Sequence, residues 1–255
     1  MSWLEALLLG VLQGTTEFLP ISSSGHLVIG QHILGIEIPG NAFEIVVHLG
    51  SLLSIIIVFR KEIAALIRTI NSRSTQRYIL TLIIATIPAV IVGIIWNEPI
   101  KKTFDNIGFV SAMLIITGIL LFSTKFMKRG IKEVNPVKGL FIGIIQAVAI
   151  LPGISRSGFT ISAGLLAGVS PTKAMSFSFL LAIPAISGAG MLMGVEMITQ
   201  ETQFSLGWPV ILSGFISSFI VGWISLKLLA GIIKSGKLHW FGYYCVAMAL
   251  IIRII

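Results

Sequence analysis

Glu17-Phe18-Leu19-Pro20-Ile21-Ser22-Ser23-Ser24-Gly25-His26 and Leu151-Pro152-Gly153-Ile154-Ser155-Arg156-Ser157-Gly158-Phe159-Thr160 each interrupt an otherwise apolar run. Each cluster is preceded by an apolar stretch and followed by another too short to cross a bilayer. The interrupted segments cover about 3–35 and 138–170. Irregular backbone at membrane depth is tolerated only where protein or a water-filled cavity satisfies its polar groups. Both segments are therefore predicted to be re-entrant helix–loop–helix hairpins.

The remainder of the chain supports an all-α integral membrane protein. Of 255 residues, 55% are hydrophobic and only 11% are charged, well below the quarter or so usual in soluble domains. Six transmembrane helices are expected at about 41–59, 78–96, 107–124, 173–194, 208–230 and 239–255. No Pro/Ser-rich or charged linker divides them, so residues 1–255 form a single integral membrane domain. The net charge of +8 does not point to nucleic acid, because the basic residues sit at the ends of apolar runs. Arg60, Lys61, Arg68, Arg73 and Arg77 follow the first span, and Lys125, Lys128, Arg129, Lys132 and Lys138 the third. Lys227, Lys234 and Lys237 follow the fifth. The opposite side carries Lys101 and Lys102, with Glu196 and Glu201 between the fourth and fifth spans. Thirteen basic residues against two place the first set in the cytoplasm by the positive-inside rule and both termini outside. The N-terminal stretch lacks the features of a removable signal and is expected to belong to the mature protein. With Cys245 as the lone cysteine, neither an intrachain disulfide nor a cysteine metal cluster is expected.

The two interrupted segments are related. At an offset of 133, Leu7, Gly10, Gln13, Ile21, Ser22, Ser24 and Gly25 match Leu140, Gly143, Gln146, Ile154, Ser155, Ser157 and Gly158. By the charge count, one hairpin enters from outside and the other from the cytoplasm. That is an inverted-topology repeat with halves of about 1–125 and 126–255, its broken helices meeting near the midplane. The Ile-Pro-Ala triplets at 87–89 and 183–185 have a different offset and are read as coincidence.

The chemistry lies at the breaks. An arginine within the bilayer costs from about 2.5 kcal/mol upward and marks function by default. The planar guanidinium of Arg156 suits phosphate oxygens. Ser155, Ser157 and Thr160 supply hydroxyls, and a helix starting near Gly158 would present free N–H groups to an anion. Snorkelling, or pairing with a carboxylate to tie the hairpins together, is the structural alternative for Arg156. The first break holds Glu17, Ser22, Ser23, Ser24 and His26. Glu17 can be a general base, a metal ligand or a counter-ion, His26 can move a proton, and a serine beside such a base can attack phosphorus. Serine capping of a helix at 25–34 and packing of His26 are the alternatives. Gln13, four residues before Glu17, shares its face and either orients a phosphate or metal-bound water or bonds Gln146. His48 beside Gly50 reads as a packing residue, Glu44 as interfacial, His239 and Trp240 as an anchor, and the glycines of 187–194 as close helix contacts.

Over Gln13-Gly14-Thr15-Thr16-Glu17-Phe18-Leu19-Pro20-Ile21-Ser22-Ser23-Ser24-Gly25-His26 and the Pro-Gly-x-Ser-Arg-Ser-Gly-x-Thr run at 152–160, the chain resembles the undecaprenyl-pyrophosphate phosphatase family known for bacitracin resistance. The resemblance implies hydrolysis of undecaprenyl pyrophosphate to the monophosphate and inorganic phosphate, dependent on a divalent cation such as magnesium or calcium. It also implies paired re-entrant helices and a site opening to the outer, periplasmic face of the bacterial inner membrane. Glu17, Ser23, His26 and Arg156 match the family's catalytic positions, with Glu17 as metal ligand and Ser23 as candidate nucleophile. Gln13, Ser22, Ser155, Ser157 and Thr160 are the substrate-binding candidates. Position 13 is glutamine where some members have glutamate, so a scheme with two carboxylates on the metal does not transfer. Expected partners are the isoprenoid pyrophosphate and the bilayer, with a homodimer left open and nucleic acid excluded. The alternative class is a lipid-phosphate transporter, which needs the anion clamp but not the nucleophile. A channel is disfavoured, because one arginine faces one glutamate rather than a ring of like charge.

Overall fold

The computed structural model describes residues 1–36, 42–104, 106–127, 130–199 and 206–253, with the side chains at 193 and 196–199 excluded. Lys128, Arg129, Glu201, the Glu196 side chain, position 41 and positions 254–255, all used above, lie outside the described residues. Twelve α-helices, and no strand, make up the described chain.

Helix α1 (Trp3–Phe18) opens with a capping box, Ser2 and Glu5 each accepting from the other's backbone N–H. It stops before Pro20, which disfavours helical backbone at Leu19. Helix α2 (Ser23–Leu34) begins after Ser22, whose φ of 70° is the only positive value at a non-glycine residue described. It ends on left-handed Gly35. Gly30 leaves room for Leu9 and Leu12, so α2 folds back on α1. Helix α3 (Ala42–Val58) bends by 65° into α4 (Arg60–Arg68), an amphipathic helix with no buried residue. Helices α5 (Arg73–Ile95), α6 (Asn97–Phe104) and α7 (Ile107–Ser123) follow.

The second half also opens with two helices joined by a break. Helix α8 (Pro136–Val148) starts with Asn135 as cap and Pro136 in its first turn, a position where the missing N–H costs nothing. A break at 149–155, with Gly153 at φ 90°, leads into α9 (Arg156–Leu166), which packs back on α8. Helices α10 (Pro171–Thr199), α11 (Trp208–Ser235) and α12 (Trp240–Ile252) complete the chain.

Four helices are long and apolar enough to cross a membrane: α5, α7 with the turn after it, α10 and α11. The chain is an integral multi-pass membrane protein. The expected span at 41–59 corresponds to α3, which reaches membrane length only together with α4 beyond the bend. That expected at 239–255 corresponds to a helix of 13 residues within the described chain.

Helices associate in lipid through small residues and interhelical hydrogen bonds rather than a hydrophobic drive. The matched glycines do this in both halves. A Cβ on Gly10 of α1 would lie 2.6 Å from the Gly214 carbonyl of α11, and one on Gly143 of α8 would lie 2.3 Å from that of Ala85 in α5. Along α3 and α11, Ser218 Oγ donates to Val47 O (2.6 Å) and Ser54 Oγ to Phe219 O (2.7 Å). The glycines at 188, 190 and 194 behave otherwise, since nothing among the described residues lies within 4 Å of a Cβ placed on them. The close packing expected for 187–194 is therefore not made there; Gly188, Ala189 and Leu192 instead line a cavity.

Gly143→Ala should destabilise the protein by about 1–3 kcal/mol through overpacking against backbone, read as a lower unfolding midpoint in detergent. Gly188→Ala should leave the midpoint unchanged or raise it, since alanine is the better helix former. Equal midpoints for the two variants would contradict this packing.

Candidate active site

The two breaks meet. A Cβ at Gly158 would lie 3.0 Å from Pro20 Cβ, and one at Gly25 would lie 3.9 Å from Gly153 Cα. Helix α7 braces the second break, with Thr117 Oγ1 donating to Gly153 O (3.0 Å) and accepting from Ser155 N (3.2 Å). Ser22 and Ser155, which match at the offset of 133 in the sequence, cap α2 and α9. Their hydroxyls accept from Gly25 N at 3.4 Å and Gly158 N at 3.1 Å. The capping role considered for the first serine cluster thus falls to Ser22, which leaves Ser23 for other contacts.

Glu17, in the last turn of α1, is the hub. Its Oε1 accepts from Arg156 Nη2. Its Oε2 accepts from Ser23 Oγ at 2.6 Å and from Gln13 Nε2 at 3.1 Å. An isolated buried carboxylate is strongly disfavoured, and the guanidinium and two further donors compensate this one. Ser23 and Arg156 open α2 and α9 respectively, so the positive ends of two helices converge on the same anion. The residues predicted from either break, 139 positions apart, therefore form one cluster of carboxylate, hydroxyl, amide and guanidinium.

Several expectations are redistributed. Both ring nitrogens of His26 are engaged, Nδ1 with Ser22 O and Nε2 with Tyr244 Oη, each at 2.8 Å. Because a carbonyl can only accept, Nδ1 carries the proton and Nε2 accepts from the tyrosine. His26 stacks on Tyr244 and ties α2 to α12 rather than meeting Ser23. Thr160 Oγ1 donates to Arg156 O (2.8 Å) and pairs with Ser178 Oγ (2.5 Å), so its hydroxyl is spent inside the helix packing. Ser157 Oγ lies 3.2 Å from Ser155 Oγ and is buried. Gln13 bonds Glu17 and not Gln146, whose amide has no partner among the described residues.

His48 enters the site instead of merely packing. Its Nδ1 donates to Glu44 O at 2.7 Å, and Nε2 stands 3.8 Å from Glu17 Oε2. The signal in the sequence was Glu44 and His48 one helical turn apart inside an apolar span, where ionisable groups are costly.

A cavity of about 880 Å³ opens beside the cluster. Its walls are mostly apolar, with Arg156, Gln146, Glu44, His32, Asn97 and Lys101 among the polar residues. Arg156 belongs to both cavity and cluster. An apolar groove of about 320 Å³ along α5 adjoins it, sharing Thr86, Val90 and Pro184. The buried side-chain atoms without a partner among the described residues include Gln13 Oε1, Arg156 Nη1 and both amide atoms of Gln146. Native structures rarely leave such atoms unpaired, and a bound anion or cation would satisfy them. Gln13 Oε1 belongs to the amide whose Nε2 donates to Glu17, and with that carboxylate it supplies oxygens of the kind that hard divalent cations choose. Among the described residues no three His, Cys, Asp or Glu side chains converge on a metal position, so most ligands of such a cation would come from substrate or water.

Known proteins match this sequence over nearly its whole length. Proteins named undecaprenyl-diphosphatase are 38% identical in Desulforapulum autotrophicum (98% of this chain, 97% of that protein). Those in Christiangramia forsetii and Bacteroides fragilis are 41% and 40% identical at the same coverage. The family model described as bacitracin resistance protein BacA matches residues 6–251, which takes in both breaks and every helix that meets them. The chain belongs to the BacA family of bacitracin resistance proteins.

Proposed function

We propose that the protein hydrolyses undecaprenyl pyrophosphate to undecaprenyl phosphate and inorganic phosphate, returning the lipid carrier to cell-wall synthesis. The relatives' names and the family support the reaction. The observation that carries it to particular residues is the joining of Ser23, Glu17 and Arg156 across the two breaks, beside a cavity continuous with an apolar groove.

The isoprenoid chain lies in that groove, against Ile83, Ile87 and Val90 of α5, and the pyrophosphate enters the cavity. Arg156 keeps Nη2 on Glu17 and offers Nη1 to phosphate oxygens, holding charge where it develops. Ser23 Oγ attacks the terminal phosphorus as its proton passes to Glu17 Oε2, to which it already donates. The P–O bond to the bridging oxygen breaks, and undecaprenyl phosphate leaves. Water then cleaves the phosphoserine, Glu17 returns the proton to Ser23, and inorganic phosphate departs. Glu17 rather than His26 takes this proton because both nitrogens of His26 are already bonded. Glu17 and Gln13 Oε1 would hold magnesium or calcium, which when bound neutralises phosphate charge.

The membrane placement belongs to the same proposal. Helix α1 packs on α11 of the other half and α8 on α5, an exchange that supports two inverted repeats. The charge count puts α4 and the 125–138 and 227–237 segments in the cytoplasm, so the site faces the outer side of the bacterial plasma membrane.

Phosphate release from undecaprenyl pyrophosphate by purified protein in detergent, with magnesium or with EDTA, tests the reaction. Wild type should release phosphate with magnesium only. Ser23→Ala and Arg156→Ala should lose about 100-fold or more, with Arg156→Lys, which keeps the charge but not the fork, in between. No release from folded wild type with any divalent cation would overturn the phosphatase. Full activity of Ser23→Ala would replace the phosphoserine by direct attack of water. Separately, Val90→Trp should raise KM for the long-chain substrate about tenfold by filling the groove, while KM for a short isoprenyl pyrophosphate stays put. An equal effect on both lengths would remove the chain from that groove.

A further inference from the structure

Gln146 is 2% exposed, and among the described residues neither its Nε2 nor its Oε1 has a hydrogen-bond partner. Its position in the repeat explains how the amide came to be stranded. In α1 the matching Gln13 reaches Glu17 four residues on (3.1 Å). In α8 the residue four after Gln146 is Ile150, which offers nothing. A buried amide without a partner is unfavourable, and methionine would fill the same space without that cost. Gln146 nevertheless lines the cavity that contains Arg156, whose Nη1 is also buried and unpaired. Two unpaired donors on residues lining one cavity, one of them charged, are complementary to an anion with several oxygens.

Resting on the phosphatase reading, we infer that Gln146 binds the phosphate that stays on the lipid. Arg156 is the residue common to the nucleophile cluster and the cavity. Ser23 and Glu17 lie on its cluster side, and Gln146 lines the cavity that continues into the apolar groove. A pyrophosphate spanning Arg156 therefore has its terminal phosphate at Ser23 and its prenyl-linked phosphate at Gln146, with Nε2–H donating to an oxygen of the latter. This assigns the lipid monophosphate, product of the reaction, the same subsite it occupied as part of the substrate.

The test compares wild type with Gln146→Met in hydrolysis, in inhibition by an isoprenyl monophosphate and by inorganic phosphate, and in thermal unfolding. The variant should raise KM and the inhibition constant of the isoprenyl monophosphate about tenfold each, and leave inhibition by inorganic phosphate unchanged. Its unfolding midpoint should equal or exceed that of wild type, which a structural role for the amide would not allow. Gln146→Glu, which sets a negative charge against the phosphate, should weaken monophosphate inhibition further. Unchanged inhibition by the isoprenyl monophosphate in Gln146→Met, with or without a lowered midpoint, would overturn the assignment while leaving the phosphatase intact. Absence of hydrolysis by the wild type would overturn both.

Discussion

The ion pair between Glu17 and Arg156 is the constraint on which the rest depends. Neither charge is tolerable alone inside an apolar bundle, so each break is committed to the other. Once paired, Glu17 Oε2 remains for Ser23 and Gln13, and Arg156 Nη1 remains for a ligand. One interaction thus closes the fold and leaves one reactive acceptor and one buried cationic donor with bonding capacity to spare. Removing either partner from a buried pair usually costs more than the pair contributes, because the remaining charge is stranded.

The breaks themselves follow from local chemistry. Pro20 stops α1, Gly153 takes a backbone conformation reserved for glycine in the second break, and Ser22 and Ser155 restart helices as caps. The capping serines recur at the offset of 133, and the two helix N-termini they start arrive at one place. The long helices can approach closely enough to hold them there because Gly10, Gly50 and Gly143 lack a side chain where the neighbouring backbone passes. Backbone order in this membrane protein is therefore set by small residues and hydroxyl bonds, and the apolar surface is left largely to lipid.

Much of this was legible in the sequence because polar groups stand out in apolar runs. Glu17, Ser23 and Arg156 were visible as residues whose burial needs a reason, and both helix breaks were visible as Pro/Gly/Ser clusters. Their direct contact was accessible only as the ion-pair alternative for Arg156. What stayed hidden depended on distant partners. His26 is turned away by Tyr244, 218 residues later, and Thr160 is absorbed by Ser178. His48 could have been placed from its spacing to Glu44, but a glycine two positions on argued for packing. The glycines of 187–194 show the limit of composition: small residues look the same whether they admit a helix or widen a cavity. Only three-dimensional packing distinguishes the two.

The most direct test of the account is a double-mutant cycle on the pair, with thermal unfolding in detergent measured for Glu17→Gln, Arg156→Met and the two together. Each single variant should lose about 3 kcal/mol by stranding its partner, and the double variant should lose clearly less than the sum. Additive losses would mean that the two charges do not depend on each other, and the joining of the breaks into one site would fall.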